Sequence, residues 1–112
     1  MDTETTENFA AELRARLAEL ERMSVLSADG RKVVELDQQA VGRVSRIDAI
    51  QAQSMALATE ERRSAERQRI GAALKRVASG DYGYCLNCDE AIDPRRLTID
   101  PAAPLCLDCA KG

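Results

Sequence analysis

Residues 80–109 read GDYGYCLNCDEAIDPRRLTIDPAAPLCLDC, and this stretch contains all four cysteines of the chain, Cys85, Cys88, Cys106 and Cys109. Their spacing is C-x2-C-x17-C-x2-C. Two residues between paired cysteines let one tight turn of backbone present both sulfurs to a single ion, and the longer excursion returns a second such turn to complete a tetrahedron. The pattern points to one zinc ion held by four thiolates. No ligand position is left for an activated water, so the metal is structural. Two disulfides, a redox C-x-x-C pair and an iron–sulfur site are the competing readings. The N-terminal MDTETTENFAAELRARL lacks the basic and apolar regions of a secretory leader, so a reducing cytoplasm is the expected compartment and disulfides are disfavoured there. A thioredoxin-like strand-helix pattern is also missing, which leaves iron as the next metal after zinc.

Outward from the cysteines, the excursion carries Asp93-Pro94 and Asp100-Pro101 as turn signals. Leu97, Ile99, Leu105 and Leu107 are its candidates for packing beneath the metal. On the N-terminal side, Gly80 stands where a left-handed residue would end a helix. Before it, from Asp37 to Ser79, there is neither proline nor a turn cluster. A helix over 37–79 would run to about 63 Å at 1.5 Å per residue, too long to fold back inside so small a chain. It must project as an arm.

Phe9, Leu13, Leu17, Leu20 and Met23 recur at steps of three and four, which predicts an amphipathic helix over 6–26. The connector 27–36 contains Asp29-Gly30, a turn signal. The two helices then form an antiparallel coiled-coil hairpin. The stripe Ala40, Val44, Ile47, Ile50, Leu57 and Ala58 faces the first helix in this reading, while Ile70, Leu74 and Val77 dock the finger. A dimeric coiled coil that zips two chains together would share the same period; the short connector favours the hairpin and a monomer. The expected architecture is mostly α, with a helical hairpin over 1–79 and a four-cysteine finger over 80–112.

Composition excludes much chemistry. Histidine is absent, so histidine-based nucleophile systems and histidine-ligated metals are ruled out. There is no phosphate loop, and no apolar run long enough to span a membrane. An enzyme is the least expected class. Of 112 residues 18 are alanine and 3% are aromatic, so the core must be thin and helical rather than a thick sandwich.

The chain carries a formal net charge of −3. Residues 80–112 hold six acids against three bases, leaving thirteen of each in residues 1–79. Four thiolates around a dication bring the finger to about −5, which would repel a phosphate backbone. Direct DNA binding by the finger is therefore not expected. Arg62, Arg63, Arg67, Arg69, Lys75 and Arg76 form a local basic stretch, read first as a solvated helix face with Glu66 pairing Arg62, Arg63 and Arg69 at helical spacing. A contact site for an acidic partner is its alternative.

Gly83-Tyr84-Cys85, Ile92 followed by Arg95-Arg96-Leu97, the Pro101 region and Leu105-Cys106-x-x-Cys109, preceded by a long helical hairpin, together resemble the DksA/TraR family of bacterial RNA polymerase regulators. The resemblance is specific over 80–109 and architectural before it. It implies a zinc-binding transcription regulator that binds RNA polymerase, inserting its coiled coil into the secondary channel without contacting promoter DNA. Longer members carry a D-x-x-D-x-A pattern at the coiled-coil tip. Here only Asp37-Gln38-Gln39-Ala40 approaches it, with one Asp and an Ala three residues on. Asp37, Gln38, Ala40 and Arg43 are the tip candidates that follow, with Arg31, Lys32 and Arg46 as flanking charges. Asp37 has the alternative role of capping the long helix. Longer relatives also continue into another helix after the last cysteine, where this sequence has Ala110-Lys111-Gly112, which leaves dependence on a nucleotide alarmone open. A zinc-ribbon adaptor that binds some other protein through its coiled coil is the alternative function. A nucleic-acid binder using Arg62 to Arg76 is the third.

Overall fold

A computed structural model describes residues 2–31 and 43–112. Helix α1 (Thr3–Leu26) ends in a short 3-10 turn at Ala28–Arg31; α2 (Arg43–Ser79), α3 (Pro94–Ile99) and α4 (Leu107–Lys111) follow. No strand occurs among the described residues, only an isolated antiparallel bridge between Tyr84 and Ala91. The molecule is a rod, 64 Å in its longest dimension.

Helix α1 starts three residues earlier than the apolar periodicity indicates. Asp2 is the reason: its Oδ1 accepts from the Thr5 amide at 2.7 Å, capping an otherwise orphaned donor. That same bond holds the Asp2 carboxyl below the usual carboxylate range. At the other end Ser27 closes the helix by donating its amide and hydroxyl to the Met23 carbonyl, at 3.0 and 2.8 Å. Gly80, with φ +84°, ends α2 in the left-handed conformation that glycine adopts without steric cost.

The two long helices run antiparallel, but in a different register from the one their apolar stripes suggest. Arg16 reaches Glu66 at 2.6 Å, Arg63 reaches Ser27 at 2.9 Å and Arg31 reaches Glu60 at 3.3 Å. Helix α1 therefore lies along the C-terminal half of α2, not its first half. Phe9, Leu13 and Leu20 are buried in one cluster with Ile70 and Ala73. The stripe residues Ile47, Ile50 and Leu57 remain about half exposed, because α1 ends before it reaches them. Packing against the finger decides the register: Ile70 and Ala73, with Leu74 and Val77 at the edge, share their core with Tyr82, Ile92, Leu97, Ala102 and Ala103. Had α1 lain along the first half of α2 instead, this apolar face would be covered by the finger alone.

The basic stretch of α2 is only in part the solvated face read from the sequence: Arg62, Arg69 and Lys75 are exposed, and the ion pairs differ from those the helical spacing suggests. Glu66 turns to Arg16 on α1, Arg69 to Asp100 of the finger at 2.9 Å, and Arg63 and Arg67 both to Glu60. Arg31, read from sequence as a tip charge, completes the Glu60 cluster in mid-rod and caps α1 by donating to the Ser24 carbonyl at 3.0 Å. Ser24 and the arginines Arg67 and Arg31 hold the Glu60 carboxyl below its ordinary range.

Candidate metal centre

The finger is seated on the hairpin by Tyr82. Its ring is buried against Phe9, with centroids 6.1 Å apart and planes at 46°, an edge-tilted aromatic pair. Its hydroxyl donates to the Pro101 carbonyl at 2.7 Å, and burial pushes the phenol up to about 12. One side chain thus touches α1, the excursion and the approach to the first cysteine. Gly83, with φ +92°, then turns the backbone so that its carbonyl accepts from Ile92 at 2.8 Å.

The first cysteine knuckle follows. The Cys85 amide donates to Glu90, and the Asp89 amide donates back to Cys85, at 2.8 and 2.9 Å. Asp89 adopts a positive φ of 62° to close the turn, a conformation that aspartate tolerates better than most residues. The second knuckle is the start of α4. Cys106 caps that helix, its sulfur accepting from the Cys109 amide at 3.5 Å. The knuckles are tied together by the Leu86 amide, which donates to Pro104 at 2.9 Å.

All four sulfurs lie within 4.8 Å of one another. Cys88 and Cys106 are 3.8 Å apart, close to the edge of about 3.8 Å that a tetrahedron of Zn–S bonds near 2.3 Å requires. The electrostatics point the same way. Burial of Cys85 opposes its ionisation, but the amides of Cys106, Cys88 and Asn87 overcome it and bring the thiol down to about 6. Cys88 is pushed up to about 12: the Glu90 amide favours its thiolate, yet burial and the three neighbouring sulfurs prevail against it. Four sulfurs this close cannot all ionise unaided. A dication removes the conflict, and the donor set fits one structural zinc ion with a closed shell.

Between the knuckles, Asp93 caps α3: its Oδ1 accepts from the Arg95 amide at 2.9 Å, with Pro94 in the first helical turn. The Asp-Pro pair is thus a helix start rather than a simple turn. Leu97, fully buried, packs beneath the metal loop, and Arg96 braces it from above by donating to the Leu105 carbonyl at 2.9 Å. Two of the four residues expected beneath the finger lie elsewhere. Ile99 is 87% exposed and Leu107 54% exposed, because the short helices α3 and α4 each turn only one face inward. Tyr82 and Asn87, absent from the sequence-based candidates, are what the geometry adds. Tyr82 precedes the first cysteine by three residues, and Asn87 stands between two of them; that proximity was the available signal.

Of the tip candidates, Asp37, Gln38 and Ala40 lie outside the described residues, as does Lys32. Arg43 is the first described residue of α2, and its side chain is outside the described set.

Comparison with known proteins bears on the finger first and then on the whole chain. A model of the prokaryotic dksA/traR C4-type zinc finger matches residues 80–112. Over nearly its full length the chain is similar to a DnaK suppressor protein from Agrobacterium tumefaciens, with 31% identity, 94% of this chain and 90% of that one covered, and a TM-score of 0.60. The chain belongs to the DksA/TraR family. Another structure of the family, transcription factor DksA2 from Pseudomonas aeruginosa, superposes with a TM-score of 0.80 at 26% identity, covering 99% of this chain and 84% of that one. The RNA polymerase-binding transcription factor DksA of Haemophilus influenzae is 41% identical over 56 residues, and that of Escherichia coli K12 39%. These matches take in half of this chain but only 39% and 37% of the curated DksA proteins. Membership of the DksA/TraR family accounts for the cysteine spacing, the long α2 and the hairpin together.

Proposed function

We propose that this chain is a non-enzymatic transcription regulator of the cytoplasm that binds RNA polymerase as a monomer, through the secondary channel and without sequence-specific DNA contact. One observation carries the reading: a four-cysteine finger of the dksA/traR type holds the base of a hairpin whose α2 runs on past the end of α1, and half of the chain is 39–41% identical to proteins named RNA polymerase-binding transcription factors. The finger and the Phe9-Tyr82-Ile70 cluster form a base that stays outside. The hairpin carries its far end inward, where Asp37, with Gln38, Ala40 and Arg43 beside it, would meet the polymerase. Charge supports the absence of a DNA role. The finger is acidic, and Arg63, Arg67 and Arg69 are engaged by Glu60 and Asp100, which weakens the basic stretch as a grip on phosphates. The described helices include none long and apolar enough to cross a membrane.

Retention of core RNA polymerase on the immobilised zinc-loaded chain at low salt is the expected result, and a photo-crosslinker at position 37 should map to the channel. No retention would overturn the reading. A second reading, a zinc-ribbon adaptor for another protein, is favoured by the exposed Ile47, Ile50, Met55 and Leu57 on α2. Sedimentation at rising concentration separates the two. A monomer supports the polymerase reading, whereas a dimer protecting these residues supports the adaptor.

A further inference from the structure

Asn87 lies between the first two cysteines and meets two sulfurs from different knuckles. Its backbone amide donates to Cys85 Sγ and its side-chain Nδ2 donates to Cys109 Sγ, both at 3.4 Å. The second bond crosses 22 positions of sequence and runs from the first knuckle to the second. A backbone bond from Leu86 to Pro104 also joins them, but it does not touch the ligand atoms. From this geometry we infer that Asn87 is a positioning residue of the metal centre, which joins the knuckles through sulfur and sets how firmly the finger retains its ion.

The chemistry follows from the charge on the ligands. A metal-bound cysteine is a thiolate, and an N–H directed at its sulfur stabilises the anion against both protonation and dissociation. The carboxamide does this as a neutral group. A carboxylate at the same position would present oxygen to the anionic sulfur, in a finger already carrying Asp89, Glu90 and Asp108. The two Asn87 bonds also hold Cys85 and Cys109 near each other independently of the ion, which reduces the ordering required on binding. Asn87 is exposed and fills no core volume, so its effect acts through the sulfurs rather than through packing.

Metal transfer to a chromogenic chelator, measured on the full zinc-loaded chain, tests this directly. Asn87→Ala should release zinc about tenfold faster than the parent, within the span seen when an outer partner of a ligand is lost. Asn87→Asp should be faster still, and Arg95→Ala, whose residue touches Asp93 but no sulfur, should match the parent. With cobalt in place of zinc, Asn87→Ala should keep tetrahedral d–d bands while its sulfur-to-metal charge-transfer band moves to lower energy. A merely structural role would leave that band in place. Release within roughly twofold of the parent, where an outer partner should matter more, together with an unmoved band, overturns the inference. A measurement on the parent chain needs no variant: loaded with cadmium-113, the Asn87 side-chain amide protons should show scalar coupling to the metal through Cys109. If the backbone amide of Asn87 couples and the side-chain amide does not, the inference fails.

Discussion

The two ends of α2 are made of similar residues and end in different physical situations. Near Ser79, Ile70 and Ala73 are buried against α1 on one side and the finger on the other. About four to seven turns earlier, Ile47, Ile50 and Met55 have comparable apolar side chains, yet Met55 is 71% exposed. Helical propensity and periodicity are alike at both places. What differs is the company: the inner end packs against both α1 and the finger, whereas α1 ends before it reaches the outer residues. Stability concentrates where three elements meet, and the outer half of α2 is left as surface.

Removing the metal attacks the comparison most directly. Structural zinc contributes on the order of 10 kcal/mol to modules of this kind. Chelation, or Cys106→Ser, should therefore unfold residues 80–112, abolish the Tyr82 near-ultraviolet signal and leave much of the helical far-ultraviolet signal. Retained amide protection in the finger after chelation would break the comparison. Tyr82→Ala comes next, with a loss of about 3–4 kcal/mol in urea unfolding of the zinc-loaded chain, while Tyr82→Phe keeps the ring contact with Phe9 and should lose about 1 kcal/mol with its hydrogen bond to Pro101.

Glu60 tests the boundary between the two regions. Its carboxyl titrates lower in the folded chain than in the unfolded one, because Ser24, Arg67 and Arg31 stabilise the anion. The stability it adds is full above its unfolded value, near 4.5, and is lost as pH falls through the lower folded value. The melting difference between the parent and Glu60→Gln should accordingly shrink to nothing on acidification below that point, when the two are compared at each pH. A difference that grew instead would place Glu60 outside the clamp. The smallest effect belongs to the outer arm: Ile50→Ala should change stability by no more than about 0.5 kcal/mol, against about 2–5 kcal/mol for Ile70→Ala in the buried cluster.

The metal site was legible in the sequence because coordination chemistry is local: Cys85 with Cys88 and Cys106 with Cys109 each declare a knuckle within four residues. The hairpin was legible for a related reason, since the spacing of Phe9, Leu13, Leu17 and Leu20 repeats with the helix itself. The register was not. It depends on which apolar side chains compete for the same partner, and Ile70 wins over Ile50 only because Leu97 and Tyr82 stand behind it. The roles of Glu66 and Arg31 were lost with the register, as each pairs across the hairpin rather than along one helix. Asp93 looked like a turn because an Asp-Pro pair serves equally as a turn and as the opening of a helix as short as α3.

The continuity of α2 from Arg43 to Ser79 makes it a lever of about 56 Å. One degree of rocking at the foot would swing the far end by about 1 Å over that span, roughly the tolerance within which polar groups still meet their partners. Angular aim, then, is the property that the aromatic wedge and the cysteine clamp guard together, and slack introduced at the foot would be felt as a miss at the opposite end.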